Sequence, residues 1–300
     1  MQKFLIWLSA IRLRTLPLSI SGIILASCFA YYNGVFDWGI FWLAILTTLS
    51  FQILSNLAND YGDGIKGTDN NNRIGPERAV QSGKITPEEL FNAIKINVLI
   101  SIGLAFFLVF WALGVSHFWL TFFFFLLGLA SVGAALRYTM GNNAYGYKAL
   151  GDVFVFVFFG LVSVIGCYVL YAKQVDHVVY LPAITIGLLS TGVLNLNNMR
   201  DRVSDKDSNK ITMAVKLGEK NVKIYHNTLI ISSIIISGLF AVLYYTSAFS
   251  LMFMIAYIPL LLHLKRVNRN KVHKDLDPEL KKLALTTVLL AILMGLAFLL

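Results

Sequence analysis

Apolar residues fall in long unbroken runs, separated by short polar segments, along almost the whole 300-residue chain. A run of about 17–25 such residues can cross the hydrocarbon core as a helix. The pattern predicts spans near 16–34, 39–58, 95–115, 118–137, 152–172, 178–197, 225–245, 248–264 and 283–300. No linker or low-complexity tract interrupts them. The expectation is one domain over residues 1–300, an all-α, polytopic membrane helix bundle of about nine transmembrane helices around a central cavity. The polar segments carry start signals of their own. Thr86-Pro87-Glu88-Glu89 has the form of a capping box with Pro at the first helical position. Asp277-Pro278-Glu279 stands in the same way ahead of the last span, so these acids are expected to be caps.

Two of the apolar runs close on a ladder of oxygen-bearing side chains. In N-L-A-N-D-Y-G-D, Asn56, Asp60 and Asp63 stand at i, i+4 and i+7; in N-N-M-R-D-R-V-S-D, Asn197, Asp201 and Asp205 stand at i, i+4 and i+8. At 3.6 residues per turn each set shares one helical face. Carboxylates at a membrane helix end are costly unless paired, roughly 2.5–3.5 kcal/mol each at the bilayer centre and less toward the interface. Each ladder is followed by a polar loop and another span, a weak parallel repeat that would bring the two faces together. The bland alternative is that these acids pair with Arg200, Arg202 and Lys206 on a solvated surface; two ladders with matching Asn favour a binding site. Asp69 and Asp207 lie off both faces and are expected to be solvated.

Composition sharpens the class. With 57% hydrophobic residues and a mean hydropathy of +0.70, an ordinary soluble domain is excluded. The net charge of +9 is one-sided: residues 1–15, 59–94, 137–151, 198–224 and 265–282, with Lys95, hold every Lys and Arg except Lys173. The positive-inside rule then places the N-terminus and both ladders on the cytoplasmic side of the cell membrane, and Leu300 outside. Charge of that origin is no argument for nucleic acid, and no nucleic-acid partner is expected. The opening M-Q-K-F-L-I-W-L-S-A has no small-residue cleavage site and reads as an interfacial helix anchored by Trp7. Cys28 and Cys167 lie within apolar spans as packing residues. His117 and His177 fall in external loops, and His226, His263 and His273 have no partner at ligand spacing. The Phe runs at 106–110 and 122–125 read as lipid-facing or packing, and Gly22, Gly103, Gly128, Gly160 and Gly187 as points of close helix approach.

Oxygen ladders suit a hard cation. Mg²⁺ prefers six oxygens, takes one or two carboxylates, and keeps water or substrate phosphate in its shell. Asp60, Asp63, Asp201 and Asp205, with Asn56 and Asn197 as neutral oxygens, suit two Mg²⁺ ions bridged by a diphosphate. Lys66, Arg73, Arg78 and Lys210 in the basic loops could neutralise the remaining phosphate charge. A diphosphate site embedded in lipid calls for a substrate with an apolar tail, and polyprenyl diphosphate meets both requirements. Tyr138, Tyr147 and Asp152 are candidates near the acceptor or an allylic cation, against the alternative that the tyrosines are interfacial and Asp152 is a cap.

These motifs carry a resemblance. N-D-Y-G-D-G-I-K-G and N-N-M-R-D-R-V-S-D are similar to the paired aspartate motifs of the UbiA-type intramembrane prenyltransferase superfamily, over nearly the whole chain. R-L-R-T-L-P-L-S at 12–19, R-I-G-P-E-R-A-V-Q-S-G at 73–83, Y-G-Y-K-A-L-G-D at 145–152 and D-S-N-K-I-T-M-A-V-K-L-G at 207–218 resemble its menaquinone-pathway branch, which acts on 1,4-dihydroxy-2-naphthoate. The resemblance implies a nine-helix bundle whose cavity opens laterally to membrane lipid, and Mg²⁺-dependent transfer of a polyprenyl group to an aromatic acceptor with loss of CO₂. It implies that Asn56, Asp60 and Asp63 hold one ion and Asn197, Asp201 and Asp205 the other. Arg12, Arg78 and Lys210 would then contact diphosphate, and Tyr147, Lys148 and Asp152 in Y-G-Y-K-A-L-G-D would belong to the substrate site. Two positions depart from the pattern: Gly67 stands where some relatives have Asp, and Leu13 where Pro is frequent.

Rival readings remain within reach of the same residues. Asp60-x-x-Asp63-Gly64 copies the opening of the CDP-alcohol phosphotransferase motif, but that motif's later part is absent at the required offsets. Other superfamily members, such as those acting on 4-hydroxybenzoate, share the ladders. A cation- or phosphate-coupled transporter could also carry acids in a repeated bundle, though its site would be expected near the bilayer midplane.

Overall fold

The computed structural model describes residues 2–69 and 74–299. All its regular elements are helical: α1 (Gln2–Ile11), α2 (Leu16–Tyr32), α3 (Trp38–Ile65), α4 (Pro87–Leu113), α5 (Phe118–Arg137), α6 (Gly151–Ala172), α7 (Tyr180–Asp207), α8 (Met213–Leu243), α9 (Ala248–Arg269) and α10 (Asp277–Leu296). Eight segments are long and apolar enough to cross a membrane, the first running from Lys3 through α1 and α2 to Tyr32. The ninth span expected from the sequence is α10, whose opening turns carry Asp277, Glu279, Lys281 and Lys282 and so leave it a shorter apolar stretch. Phe106, Phe107, Phe110, Phe122 and Phe123 point outward on α4 and α5, as a lipid-facing surface requires.

α3 packs on α4, α7 on α8 and α6, and α2 on α10, around a core in which Phe29, Ile186, Leu189, Phe240 and Leu290 are fully or almost fully buried. The capping box at Thr86 forms as expected, its hydroxyl accepting from the Glu89 amide while Glu89 returns to the Thr86 amide. The expectation for Asp277 and Glu279 fails. No side chain caps α10; the two acids are drawn instead to cations of neighbouring elements, described below. Residues Phe156–Gly166 of α6 are π-helical, and this widened stretch crosses α7 where Gly160 faces Gly187. A Cβ on Gly160 would stand 2.6 Å from the Gly187 Cα, so glycine is what permits the crossing.

The two ladder helices end alike. Gly67 (φ 70°) and Asn209 (φ 56°) take left-handed conformations four residues after Asp63 and Asp205. The next amide in each case folds back onto the ladder residue's carbonyl, Thr68 to Asp63 at 3.0 Å and Lys210 to Asp205 at 2.8 Å. This is the helix-ending turn that favours Gly or Asn. Gly67 therefore serves the turn itself, and the departure at Leu13 falls on an exposed residue of the short 3-10 turn Leu13–Thr15 after Arg12 (φ 57°).

Candidate active site

α3 and α7 each remain helical through their ladders, which carries both sets of acids beyond the apolar part of the span. Asp63, Asp201, Asp205 and Asn197 line one small cavity of about 20 Å³, together with Asp69, Arg78 and Lys210. The repeat does bring the two ladders together. Beside it opens a larger cavity of about 390 Å³ that shares Asp63, Arg78, Asn197 and Lys210 and runs down between the helices along an apolar wall including Phe51, Leu108, Phe124, Phe158 and Leu170. A charged end thus opens into a greasy chamber.

Asp63 uses both of its carboxylate oxygens. Its Oδ1 accepts from the Tyr147 hydroxyl at 2.8 Å and its Oδ2 from the Lys210 ammonium at 2.8 Å. Tyr147 in turn takes a bond from Thr68 at 2.7 Å, and its ring lies 4.2 Å from Lys66 Nζ and 5.4 Å from Lys210 Nζ. The loop carrying Tyr147 is pinned beside the one carrying Lys210 by the Ala149 amide, which donates to the Ile211 carbonyl at 2.7 Å. Burial works against the Lys210 charge, but Asp63 and Asp205 overcome it and hold the ammonium above its ordinary value. Burial and the Asp63 charge likewise push the Tyr147 phenol up, so it stays a donor.

In the second ladder the fully buried Arg200 is the organiser. Its Nε and Nη2 grip Asp201 Oδ1 and Oδ2 at 2.8 and 2.7 Å, and Nη2 also reaches Asn197 Oδ1 at 3.0 Å. Its remaining Nη1 bonds Asp277, whose other oxygen faces Arg14 at 3.6 Å. The pairing of Asp201 with Arg200 foreseen as the bland alternative is therefore present, within the site. A carboxylate has about four lone-pair positions, so a bidentate guanidinium leaves Asp201 able to serve a second partner.

The other expected residues divide. Arg12, Asn56, Tyr138 and Lys210 line the large cavity, and Arg12 donates to the Asn56 carbonyl at 3.4 Å. Asn56 uses its amide to hold the first turn, donating to Ile11 O at 2.8 Å and Thr15 Oγ1 at 3.1 Å. Asp60 lines neither cavity and accepts from the Ala79 amide at 3.2 Å. Lys66 donates to the Thr139 carbonyl at 2.7 Å rather than lining either space. Lys148 is exposed and bonded to Asn143 at 3.0 Å, and Asp152 is buried against the Tyr225 hydroxyl at 3.3 Å; neither lines a cavity. Arg73 lies outside the described residues.

One site expectation is corrected. Asp69, read as solvated, is 7% exposed, lines the small cavity and pairs with Arg78 at 3.8 Å. The turn at Gly67 returns it to Asp63, whose carbonyl takes the Asp69 amide at 3.4 Å; a Gly four residues beyond a ladder Asp was the available signal. His226 and His263, which have no partner at ligand spacing along the sequence, meet in space through their Nε2 atoms at 2.9 Å, and His263 Nδ1 faces the buried Glu279 at 3.0 Å. They sit on α8, α9 and α10, so linear spacing carried no sign of them.

No group of three or more His, Cys, Asp or Glu among the described residues is close enough to hold a metal by itself. The donor set nonetheless fits a hard cation: four carboxylates and an amide oxygen converge on one space flanked by Arg78 and Lys210. Charge at one end and an apolar chamber at the other define the class, an intramembrane helical bundle built to hold an anionic head with a lipid tail. The chain belongs to the UbiA prenyltransferase family, whose match spans residues 20–287, and it is an integral multi-pass membrane protein. It is 42% identical over 275 residues to the 1,4-dihydroxy-2-naphthoate octaprenyltransferase of Escherichia coli (strain K12), covering 91% of this chain and 86% of that protein. The protein of the same name from Haemophilus influenzae is 37% identical, over 99% of this chain and 97% of its own. Among solved structures, a UbiA homolog from Archaeoglobus fulgidus bound to GPP and Mg²⁺ superimposes with a TM-score of 0.61 at 15% identity, covering 96% of this chain and 99% of that one.

Proposed function

We propose that this enzyme transfers a polyprenyl group from polyprenyl diphosphate to 1,4-dihydroxy-2-naphthoate, with loss of diphosphate and CO₂, at the cytoplasmic side of the cell membrane. The observation that carries the reading is the convergence of both ladders on one charged cavity that opens into an apolar chamber. The names of the E. coli and H. influenzae relatives support the acceptor. The loop charges support the orientation.

Asp63, Asp201 and Asp205, with Asn197 and Asp69 beside them, would hold Mg²⁺, and Asn56 and Asp60 would support the first ladder from behind. Mg²⁺ held there would supply Lewis-acid neutralisation of the diphosphate. Lys210, Arg78 and Arg12 stabilise the same developing negative charge from fixed positions, which needs no reorganisation at the moment of reaction. Tyr147, held protonated between Asp63 and Thr68, fixes the carboxylate that faces Lys210. The apolar wall would keep water from the allylic cation, and Tyr138, which lines the chamber, would stabilise that cation through its ring.

The test is product analysis by mass spectrometry, with purified protein, Mg²⁺, a polyprenyl diphosphate, and either 1,4-dihydroxy-2-naphthoate or 4-hydroxybenzoate. A prenylated naphthoquinone lighter by CO₂, formed only from the naphthoate, is the expected result. Product from 4-hydroxybenzoate alone would move the enzyme to another branch of its family. No product in detergent from either would reopen the transporter reading.

A further inference from the structure

Gln52 lines the large cavity from the middle of α3, one helical turn, about 6 Å, deeper than Asn56. Its amide belongs to a network whose directions chemistry fixes. The Ile11 and Arg12 carbonyls can only accept, so Asn56 turns its Nδ2 to Ile11 O at 2.8 Å and the Thr15 hydroxyl donates to Arg12 O at 2.9 Å. Asn56 Oδ1 is thereby left facing Gln52, which has to present Nε2 to it, at 3.2 Å. The other Nε2 hydrogen reaches Thr15 Oγ1 at 3.5 Å, beside the bond that Asn56 Nδ2 makes to the same oxygen at 3.1 Å. Both hydrogens of the Gln52 amide are therefore in use, and its Oε1 accepts from no described residue. The residue is half-buried, and the space it borders is the chamber. An amide oxygen without a donor is costly inside a membrane span, and polar groups kept there mark a ligand site.

We propose that Gln52 Oε1 accepts a hydrogen bond from the 4-hydroxyl of the aromatic acceptor and so sets which edge of the ring meets the allylic carbon; the inference rests on the proposed function. Of the two substrates only the acceptor can supply the hydrogen. Diphosphate oxygens accept, as Oε1 does, and a polyprenyl tail has no polar hydrogen. In 1,4-dihydroxy-2-naphthoate the 1-hydroxyl adjoins the carboxylate and bonds to it internally. The carbon that bears this carboxylate meets the allylic carbon of the diphosphate at the ladders, so the carboxylate and the 1-hydroxyl lie at the charged end. The 4-hydroxyl stands across the ring and points away from that carbon, toward the deeper wall where Gln52 lies. Leu18 and Phe51 border the same chamber and suit the ring between the two ends. Because Asn56 Oδ1 holds the Gln52 amide, the acceptor is placed in register with the first ladder itself.

The experiment titrates the full chain in detergent, with Mg²⁺ and an unreactive prenyl thiodiphosphate present, using 1,4-dihydroxy-2-naphthoate and 1-hydroxy-2-naphthoate, which lacks only the 4-hydroxyl. The wild type should bind the monohydroxy ligand about tenfold more weakly, the loss expected when one hydrogen bond is removed and its protein partner is left unmet. Gln52→Met should weaken binding of the dihydroxy ligand about tenfold and leave the monohydroxy ligand within about twofold, closing the gap. KM for the prenyl diphosphate should stay unchanged. A wild-type gap below about twofold overturns the proposal whatever the variant does. An equal loss of both ligands in Gln52→Met, or a raised KM for the diphosphate, also overturns it, since either marks a structural role through Asn56. Failure of the wild type to bind or prenylate the naphthoate is a separate outcome, which overturns the proposed function and this inference with it.

Discussion

Lys210 donates to Asp63 at 2.8 Å across a sequence separation of 147 residues, so the loop after one ladder neutralises the last acid of the other. The two halves of the repeat thereby share one charge-balanced centre. Replacing Lys210 with Met should lower prenyl transfer at least about 100-fold, as loss of a preorganised charge stabiliser does. It should also cost about 3–5 kcal/mol of stability by stranding a buried carboxylate. Turnover and thermal unfolding of the purified variant measure both effects.

The raised Lys210 value also fixes a sign for pH. A lysine held above its ordinary 10.5 contributes stability that is fully present below that value and lost only as pH climbs through the raised one. Between about pH 6 and 9 Lys210 should therefore contribute no pH dependence. Any loss of activity in that window should persist unchanged in Lys210→Arg, read as rate against pH.

Asp69 and Asp207 are both acids just beyond a ladder, yet one is buried in the site and the other exposed. Asp69→Asn should reduce turnover by about tenfold or more and raise the Mg²⁺ concentration needed for half-maximal rate, since it removes a charge beside Asp63 and frees Arg78. Asp207→Asn should behave as wild type. A Mg²⁺ titration of both variants separates them.

Arg200 is fully buried with two carboxylates and an amide oxygen on its guanidinium. Arg200→Met should destabilise the fold by about 3–5 kcal/mol, because Asp201 would keep its charge without its partner. Asp277→Asn should cost less, since that carboxyl remains partly exposed and Asp201 still balances the guanidinium. Thermal unfolding in detergent orders the two.

The crossing of α6 and α7 predicts a purely steric effect. Gly160→Ala places a methyl 2.6 Å from the Gly187 Cα and 2.7 Å from the Ala183 carbonyl, both backbone, so the helices must part. The expected cost is about 1–3 kcal/mol. Gly103, expected from the sequence to be a point of close approach, is not one: a Cβ there meets nothing within 4 Å, so Gly103→Ala is the control in the same unfolding experiment.

Much of this protein was written locally. Apolar runs long enough for the hydrocarbon core fixed the helical class and nearly every span, because a helix in lipid satisfies its own backbone and needs no distant partner. The ladders were legible for the same reason: Asn56 to Asp63 and Asn197 to Asp205 share a face by helical period alone. What tertiary structure decided is everything that depends on one segment meeting another. The return of Asp69 beyond the Gly67 turn, the burial of Arg200 against Asp277 from α10, the pairing of His226 with His263, and the turning of Asp60 toward Ala79 leave no trace in periodicity. Charge balance in a low-dielectric interior is a sum over all neighbours in space, whatever their order along the chain. The sequence names the charges; only the packed bundle determines which of them meet, as Lys210 meets Asp63.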